Sequence, residues 1–294
     1  MSGMSDQQRL VAPVLEWYDE HARDLPWRRP EASSWSVMVS ELMLQQTPVA
    51  RVLPVHRTWL DRWPTPADLA AEPSGEAVRA WGRLGYPRRA LRLHAAAQSI
   101  VEQHAGVVPE EYDALRALPG VGDYTAAAIA TFAYGRRHVV LDTNVRRVLA
   151  RTVSGVEFPA RSVTSAERGL ATALLPDDEP TAATWSVAVM ELGALVCSAD
   201  RPRCDACPVV TACAWQRAGR PAYDGPPRPV QTYAGTDRQC RGRLLAVLRD
   251  APGAVDRSQL DAAWEDVDQR ERCLRSLLED GLAARAEGDR FALP

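Results

Sequence analysis

Four cysteines close together in the sequence are the residues of this chain best suited to bind a metal centre. They follow the spacing C-x6-C-x2-C-x5-C and are Cys197, Cys204, Cys207 and Cys213. Soft thiolate ligands select iron–sulfur clusters or zinc. Zinc sites usually carry two C-x2-C pairs, whereas only Cys204 and Cys207 have that spacing, so the pattern favours a [4Fe–4S] cluster over zinc. Four unrelated buried cysteines are the structural alternative, in a chain with only two others, Cys240 and Cys273.

Two carboxylate residues, Glu41 and Asp142, have sequence surroundings that suit a general acid and an ionised carboxylate, respectively. Glu41 lies in the apolar segment VMVSELML, with Val37 and Leu44 on its helix face. Burial there would raise its pKa, as a general acid near neutral pH requires, unless it is an exposed helix glutamate. Asp142 precedes a helix, whose amides and dipole would keep it ionised, and a plain N-cap is the alternative. Such a pair could cleave a glycosidic bond, with the acid protonating the leaving group and the anion stabilising an oxocarbenium ion.

The segment LPGVG at 118–122 predicts a tight hairpin between two helices. Gly120 and Gly122 allow a sharp turn and a close approach of the backbone. The amides at the start of the next helix, from Tyr124, would then face an anion. An ordinary Pro-Gly turn is the alternative.

The composition restricts the chemistry. The sequence contains no lysine, so all 35 basic residues are arginines and no side chain can form a Schiff base. The net charge of −3 argues against a globally basic nucleic-acid binder, so any DNA contact must come from a local patch. The lack of a long apolar run or signal peptide, together with unpaired cysteines, predicts a soluble cytoplasmic protein.

Arginines near the candidate residues could supply that patch, although any one of them could equally lie on a solvated charged face. One group surrounds Trp81 and Tyr86, and the other lies near the hairpin and Asp142. They are Arg79, Arg83, Arg88, Arg89 and Arg92, and then Arg136, Arg137, Arg146 and Arg147.

The elements that must position these residues are predicted to be helices. Apolar spacing indicates helices in VAPVLEWYDEHA, SWSVMVSELMLQQT, AVRAWGRLG, ALRLHAAAQSIVEQH, TAAAIATFAYG, NVRRVLARTV and TAATWSVAVMELGALV. A Pro-rich linker at 220–236 would separate residues 1–219 from residues 237–294. Three helices and a hairpin around Gly288-Asp289 predict a small winged-helix-like domain there, whose mixed charges do not support DNA binding.

In this order, SELMLQQT, LPGVG, LDTNVRRV, MELGALVC and the four cysteines resemble the A/G-specific adenine DNA glycosylase (MutY) family. That family belongs to the helix-hairpin-helix/[4Fe–4S] glycosylases, and the resemblance covers roughly residues 10–217. It implies a mainly α, two-lobed fold with a DNA groove. A six-helix lobe would span about 33–140, and a cluster lobe would combine 1–32 with 141–219.

The resemblance also implies roles. Glu41 would protonate adenine, and Asp142 would stabilise or transiently bond the sugar C1′. Catalytic support would come from Tyr124 and Asn144. The substrate or DNA contacts implied are Trp27, Arg28, Leu44, Gln46, Thr47, Tyr86, Gly120, Gly122 and Glu191. Hairpin carbonyls of Arg116, Leu118 and Val121 would hold a Na⁺ or K⁺ ion. The partner would be double-stranded DNA carrying adenine opposite 8-oxoguanine or guanine, bound by a monomer.

The residue after GVGD separates two kinds of glycosylase. In the related bifunctional glycosylase–lyases this residue is a lysine, which forms the Schiff base needed for strand scission. This chain has Tyr124 at that position, so we expect base removal without strand scission. Gln46, placed to enter the base stack, and Tyr86, a wedge beside the opposite base, favour adenine. Without a role in DNA binding, Gln46 would be only a polar residue at a helix end and Tyr86 only a buried tyrosine. The alternative functions are a thymine/uracil glycosylase acting on G:T or G:U and a non-catalytic cluster-bearing DNA-binding protein. A redox protein is disfavoured, because no flavin or nicotinamide motif is found.

Three departures from the family pattern restrict what the resemblance implies. Pro87 stands where a second aromatic often follows the tyrosine, and WSVAVM precedes Glu191 where a polar pair is commoner. The family's C-terminal module is a Nudix-like sheet domain that senses 8-oxoguanine, and the residues after Gly219 are too few and too helical for it. The preference for 8-oxoguanine over guanine, the role of residues 237–294 and any redox role of the cluster are therefore left open.

Overall fold

The structure is a computed structural model that describes residues 6–225 and 233–294. Within these ranges the chain is mainly helical, as predicted. The α-helices are α1 (Asp6–His21), α2 (Ser34–Leu44), α3 (Val49–Arg62), α4 (Pro66–Ala70), α5 (Ser74–Trp81), α6 (Arg88–Gln103), α7 (Tyr112–Ala117), α8 (Asp123–Tyr134), α9 (Thr143–Leu149), α10 (Ser165–Leu174), α11 (Glu179–Leu195), α12 (Ala214–Arg217), α13 (Asp237–Asp250), α14 (Arg257–Asp261) and α15 (Val267–Glu279). The strands are β1 (Val255–Asp256), β2 (Ala284–Ala286) and β3 (Arg290–Ala292).

The chain divides into two compact units, and the first contains the described residues of the ranges 1–37, 110–116 and 121–227. Its centre is α11, which packs against α1 and α9. Most residues of α11 are apolar, so the helix can be buried on several sides. Ala188 and Leu192 are fully buried, and Trp17 of α1 and Val148 of α9 belong to the same core cluster.

The second unit combines 38–109 and 117–120 with the described residues of the range 228–294. Its core contains three buried tryptophans, Trp59, Trp63 and Trp81. Their rings pack edge to face, with centroids 4.7 Å apart for Trp59 and Trp63 and 5.9 Å apart for Trp59 and Trp81. Edge-to-face pairs are the geometry that aromatic quadrupoles favour. This packing fixes α3 against α5, which precedes Tyr86.

Residues 237–294 contain the three helices and the hairpin that the sequence predicts. The three helices α13, α14 and α15 are followed by the β2–β3 hairpin, and β1 completes an antiparallel sheet in the order β1-β3-β2. The sequence pattern does not predict β1, and the second of the three helices, α14, has only five residues. Residues 226–232 of the predicted linker lie outside the part of the chain that the structure describes.

The C-terminal segment is joined to α5 by specific contacts. The Gly75 N–H donates to the Pro294 carbonyl at 2.8 Å, and a Cβ at Gly75 would lie 2.3 Å from that oxygen. The Arg79 guanidinium donates to the Ala251 carbonyl at 2.7 Å and also to the Arg249 carbonyl. These contacts explain why residues 228–294 belong to the same compact unit as 38–109, a grouping that differs from the division drawn from the sequence.

No helix within the described ranges has both the length and the apolar character needed to span a membrane.

Candidate active site and cysteine loop

Glu41 lies inside the mostly apolar helix α2. The glutamate is 5% exposed, and its neighbours Val37, Leu42 and Met43 are at most 2% exposed. The structure therefore confirms the burial predicted for Glu41.

Two strained turns follow α2 and α5. Gln46 and Tyr86 are non-glycine residues with positive φ angles of 55° and 47°. The Thr47 hydroxyl, which is 3.3 Å from the Leu84 carbonyl, donates from one turn to the other. Residues in this left-handed region persist only where their surroundings hold them, and they cluster at functional sites.

Arg89 holds both turns and is 6% exposed. Its Nη1 donates to the Gln45 carbonyl at 2.6 Å, and its Nη2 donates to the Gly85 carbonyl at 3.4 Å. These carbonyls belong to the residues immediately before Gln46 and Tyr86. Burial lowers the pKa of Arg89. Arg89 thus positions the two side chains predicted to enter the base stack, and Thr47, predicted to contact DNA, is itself a buried link between their turns.

The hairpin between α7 and α8 forms where the sequence predicts it. Gly120 has a φ of +80°, and a Cβ there would lie 2.7 Å from the Arg92 Cβ, so only glycine fits this close approach. Gly122 is the N-cap of α8 and has no side chain that could cap the helix. The first amides of α8 are therefore oriented to face an anion.

Asp142 is the N-cap of α9, and both its carboxylate oxygens accept hydrogen bonds. Oδ1 accepts from the Val145 N–H at 2.6 Å, and Oδ2 accepts from the Asn144 side-chain amide at 2.8 Å. Gly193 makes this arrangement possible, because a Cβ on it would lie 2.7 Å from the Asn144 Cβ. The predicted pair of Asp142 and Asn144 is thus a directly bonded unit.

The protonation of Asp142 is governed by opposing effects. Burial raises its pKa above the ordinary value, although hydrogen bonds from Val145 and Asn144 and the charge of Arg147 oppose the shift. The sequence analysis expected the cap and the helix dipole to keep this group ionised. It did not include the desolvation, which depends on packing and proves the larger effect.

Arg147 connects α9 to α11 and to the cysteine loop. It is 8% exposed, and its guanidinium donates to the Gly193 carbonyl at 2.7 Å, to the Cys197 carbonyl at 2.8 Å and to the Asn144 Oδ1 at 2.8 Å. It was predicted as part of a phosphate-binding patch. It is instead an internal hydrogen-bond donor that holds the partner of Asp142.

Glu191 is fully buried and bound by two arginines. Arg23 donates through Nε to Oε1 at 2.7 Å and through Nη2 to Oε2 at 2.6 Å, and the Arg28 Nη2 donates to Oε2 at 3.0 Å. Burial alone would raise the pKa of Glu191, but these hydrogen bonds and charges lower it to about 2. The predicted residues Arg28 and Glu191 are thus in contact.

The sequence analysis missed Arg23. Its sequence context does not distinguish it from Arg29, which pairs with Asp24 at the surface. Only the fold brings residue 23 to residue 191. The buried Nη1 of Arg28 has no hydrogen-bond partner among the residues described, so this donor is available to an acceptor on a ligand. Trp27, between these arginines in sequence, is 6% exposed.

The four predicted cysteines surround a single cavity. Cys197, Cys204, Cys207 and Cys213 all line an empty space of about 360 Å³, part of which opens to solvent. Burial raises the pKa of the Cys207 thiol to about 11, and the other three thiols raise it further. Within the described ranges, no three His, Cys, Asp or Glu side chains converge on a point that would hold one metal ion.

Arg151 supports this loop from a π-helical turn, Ala150–Ser154, that continues α9. It is 1% exposed and donates to the Ser198 carbonyl at 2.7 Å and to the Ala199 carbonyl at 3.0 Å. Its Nη1 also lies 3.5 Å from the Cys197 sulfur. Its guanidinium lies over the Trp215 ring, 4.8 Å from the centroid. π-Helical turns are rare and frequent at functional sites.

The predicted arginine patches are smaller than expected. Arg146 pairs with Glu167, Arg136 pairs with Glu110 and Glu179, and Arg137 donates to the Pro176 carbonyl. Arg83 and Arg92 remain exposed. Arginine forms several hydrogen bonds at once, so many of these residues hold the backbone of the protein.

The predicted site residues are divided between the two units. One set is in the first unit and comprises Trp27, Arg28, Gly122, Tyr124, Asp142, Asn144, Glu191 and the four cysteines. The other is in the second unit and comprises Glu41, Leu44, Gln46, Thr47, Tyr86 and Gly120. Within the first unit, Tyr124 and Met190, the residue before Glu191, pack against one small apolar cluster.

Comparison with known proteins agrees with this geometry. Residues 39–168 match the family described as HhH-GPD superfamily base excision DNA repair protein. The chain is 54% identical over 282 residues to an adenine DNA glycosylase of Mycobacterium tuberculosis, covering 96% of this chain and 92% of that protein.

Two solved structures share the fold. One is a thermostable thymine-DNA glycosylase, with a TM-score of 0.64 and 24% identity over 72% of this chain and 97% of the other. The second is endonuclease III in a non-covalent complex with DNA, with a TM-score of 0.61 and 21% identity over 74% of this chain and 99% of the other.

Proposed function

The chain belongs to the adenine DNA glycosylase family of the HhH-GPD superfamily, and we propose that it removes adenine mispaired with 8-oxoguanine or guanine. It would do so in base excision repair, by hydrolysing the N-glycosidic bond of a flipped nucleotide. The observation that carries this proposal is the 54% identity to an adenine DNA glycosylase over 96% of the chain. The burial of Glu41 and the fixed carboxylate of Asp142 add the chemistry that the reaction needs.

Glu41 is the general acid. Adenine is a poor leaving group as an anion, and protonation of the base makes departure easier. A carboxyl group within the apolar α2 can hold a proton near neutral pH and transfer it to a base nitrogen. The neighbouring Leu44 is half-buried and bounds the same helix face.

Asp142 stabilises the sugar cation that develops as adenine leaves. Its two oxygens are held by Val145 and Asn144, so the charge does not need to reorganise when the cation forms. Burial strengthens the attraction, because the local dielectric is low. Whether Asp142 acts through space or by transient bonding to C1′ does not change this requirement for a fixed carboxylate.

Arg28 and Glu191 orient the base. The Arg28 Nη1 is a buried donor without a partner in the described part of the chain, which suits a ring-nitrogen acceptor. Glu191 is ionised, because Arg23 and Arg28 lower its pKa to about 2, and its buried carboxylate holds the Arg28 guanidinium in place. Adenine presents ring nitrogens that could accept from the Arg28 Nη1. The hairpin at 118–122 would hold a backbone phosphate, with a monovalent cation at the carbonyls of Arg116, Leu118 and Val121.

Tyr124 stands where a lyase would need a lysine, and the sequence contains none. The protein therefore lacks an amine side chain that could attack C1′ and break the strand.

The four cysteines would hold a [4Fe–4S] cluster. All four thiols line one cavity, which fits a multi-iron group better than a single ion. Such a cluster would bind the chain through four thiolates and so close the loop 197–213. Arg203 supports the same loop by donating to the Leu195 carbonyl, and Arg201 is exposed on it.

We expect purified protein to contain about four iron atoms per chain and Cys204→Ala to lose them. Cys240→Ala, a substitution outside the loop, should keep the iron and serves as the control. The measurement is metal analysis with visible absorbance of the anaerobically purified protein. Stoichiometric zinc in place of iron would contradict the cluster.

The function is tested with duplexes carrying 8-oxoguanine:A, G:A, G:T or G:U. We expect adenine release from the first two, with strand breaks appearing only after alkali treatment exposes the abasic sites. Borohydride should trap no covalent protein–DNA complex, for want of a lysine.

A correctly paired T:A duplex is the control for non-specific release. If bases were released only from the G:T or G:U duplex, the substrate would be thymine or uracil and the adenine proposal would be wrong. Borohydride trapping would show that the terminal amine or another group supports a lyase step.

A further inference from the structure

The C-terminal segment contributes an arginine to the surface that carries Tyr86. The Arg238 guanidinium, in the first turn of α13, lies 5.6 Å from the centroid of the Tyr86 ring and 5.6 Å from that of the Tyr233 ring. Tyr86 is 46% exposed and Tyr233 is 52% exposed, and Arg238 is exposed as well. We call these three residues the Arg238 stack, and all of them belong to the second compact unit.

The Tyr86 end of the Arg238 stack is rigid. Tyr86 has a left-handed φ of 47°, a costly conformation for a bulky residue. The preceding carbonyl, of Gly85, accepts from the Trp81 indole at 3.0 Å and from Arg89 at 3.4 Å. The Arg89 guanidinium also lies over the Tyr86 ring, 5.1 Å from the centroid. The ring is therefore presented to solvent by a buried framework.

The Arg238 end is also fixed. The Thr236 hydroxyl donates to the Tyr233 carbonyl at 2.8 Å, and the Thr236 side chain caps α13 by accepting from the Gln239 N–H. Arg88 of α6 pairs with Asp280 after α15 at 3.2 Å. Together with the contacts of Gly75 and Arg79, this pairing holds the C-terminal helices where Arg238 meets Tyr86.

Exposed aromatic rings and an arginine at one place suit a nucleic-acid strand. Every base has a π-face that can stack on tyrosine, and arginine is a bidentate donor to phosphate. An arrangement that served only to join two parts of the protein would bury its rings, whereas both tyrosines here are about half exposed.

We propose that the Arg238 stack is a DNA-binding site, at which Arg238 contacts a backbone phosphate and Tyr233 packs against the strand beside Tyr86. The C-terminal segment is then part of the DNA-binding surface, which its mixed composition does not indicate. The proposal rests on the proposed function only in that the ligand is DNA.

The test compares two exposed arginines of α13. We expect Arg238→Gln to weaken binding about tenfold at ~0.1 M salt, to a duplex in which a stable abasic analogue faces guanine. The magnitude of the slope of log Kd against log salt should fall by about one, as expected for the loss of one phosphate contact. Arg243→Gln should match the unsubstituted chain in both quantities. Tyr233→Leu should weaken binding without changing the slope.

The abasic duplex offers no base to release, so binding is measured independently of catalysis. If Arg238→Gln and Arg243→Gln gave the same affinity and slope as the unsubstituted chain, the DNA-binding site would be wrong. If Arg238→Gln did not fold, as judged by its thermal midpoint, Arg238→Met would decide, because it also removes the charge while keeping an unbranched side chain against the two rings. Its slope should fall by about one, and an unchanged slope would overturn the phosphate contact. Adenine release by the unsubstituted chain tests the proposed function separately, and either result can fail alone.

Discussion

Glu41→Gln is expected to slow adenine release about 10³-fold, within the range that general acid catalysis contributes, while DNA binding survives. Glutamine has the shape of glutamic acid and fits the same buried position in α2, where residue 41 is 5% exposed. It cannot transfer a proton to the departing base. The measurement is the single-turnover rate with excess protein over an 8-oxoguanine:A duplex, together with the Kd for the same duplex.

Glu102→Gln is a matched control, because Glu102 is an exposed glutamate on α6 of the same compact unit. It should change the rate by less than about twofold, as is usual for surface substitutions. A Glu41→Gln variant that released adenine at nearly the control rate would remove Glu41 as the acid. If Glu41→Gln lost both DNA binding and adenine release, Glu41 would be needed for folding or DNA contact instead.

Segments with dense apolar residues could be predicted from the sequence, because their burial is a local property. α2, α8 and α11 all form where the sequence places them. α3 was not assigned, since Pro54 interrupts its pattern, and the structure accommodates this proline inside the helix. The short strand β1 has two residues and exists only because Phe291 of β3 pairs with Val255. Such a strand has no signal of its own.

The candidate site divides in the same way. The burial of Glu41 and the capping position of Asp142 follow from neighbours in sequence. The pairing of Arg23 with Glu191 joins residues 168 positions apart, and Arg147 reaches Cys197 across 50 positions. No local pattern reports such contacts. They decide the charge of Glu191 and the position of Asn144. The sequence therefore identifies the candidate reacting groups better than the arginines that set their charge and position.

The absence of lysine explains why the charge patches were overestimated. Where Arg89, Arg147 and Arg151 are buried, each bonds several backbone carbonyls through a planar group with five donors. A lysine could not satisfy those carbonyls in the same geometry. In this chain the buried arginines donate hydrogen bonds to backbone carbonyls, and only the exposed arginines are candidates for binding phosphate.

Asp142→Asn is expected to slow adenine release by about 10²–10³-fold with little change in stability. Asparagine caps helices about as well as aspartate, so the bond from the Val145 N–H, now 2.6 Å long, should persist and α9 should keep its start. The negative charge that would stabilise the sugar cation is lost. Single-turnover rates and thermal midpoints of the two proteins measure the two effects separately.

Asp178→Asn makes the same substitution at an exposed N-cap, where Asp178 Oδ2 accepts from the Thr181 N–H at 2.9 Å at the start of α11. Both variants should lose little thermal stability, whereas only Asp142→Asn should lose activity. Equal activity in the two variants would make Asp142 a cap and nothing more. A large loss of stability in Asp142→Asn alone would instead point to the Asn144 amide, which donates to Oδ2 at 2.8 Å and would face a second amide in the variant. Asn144→Ala in the Asp142→Asn background would then restore the stability but not the rate, because the charge would still be missing.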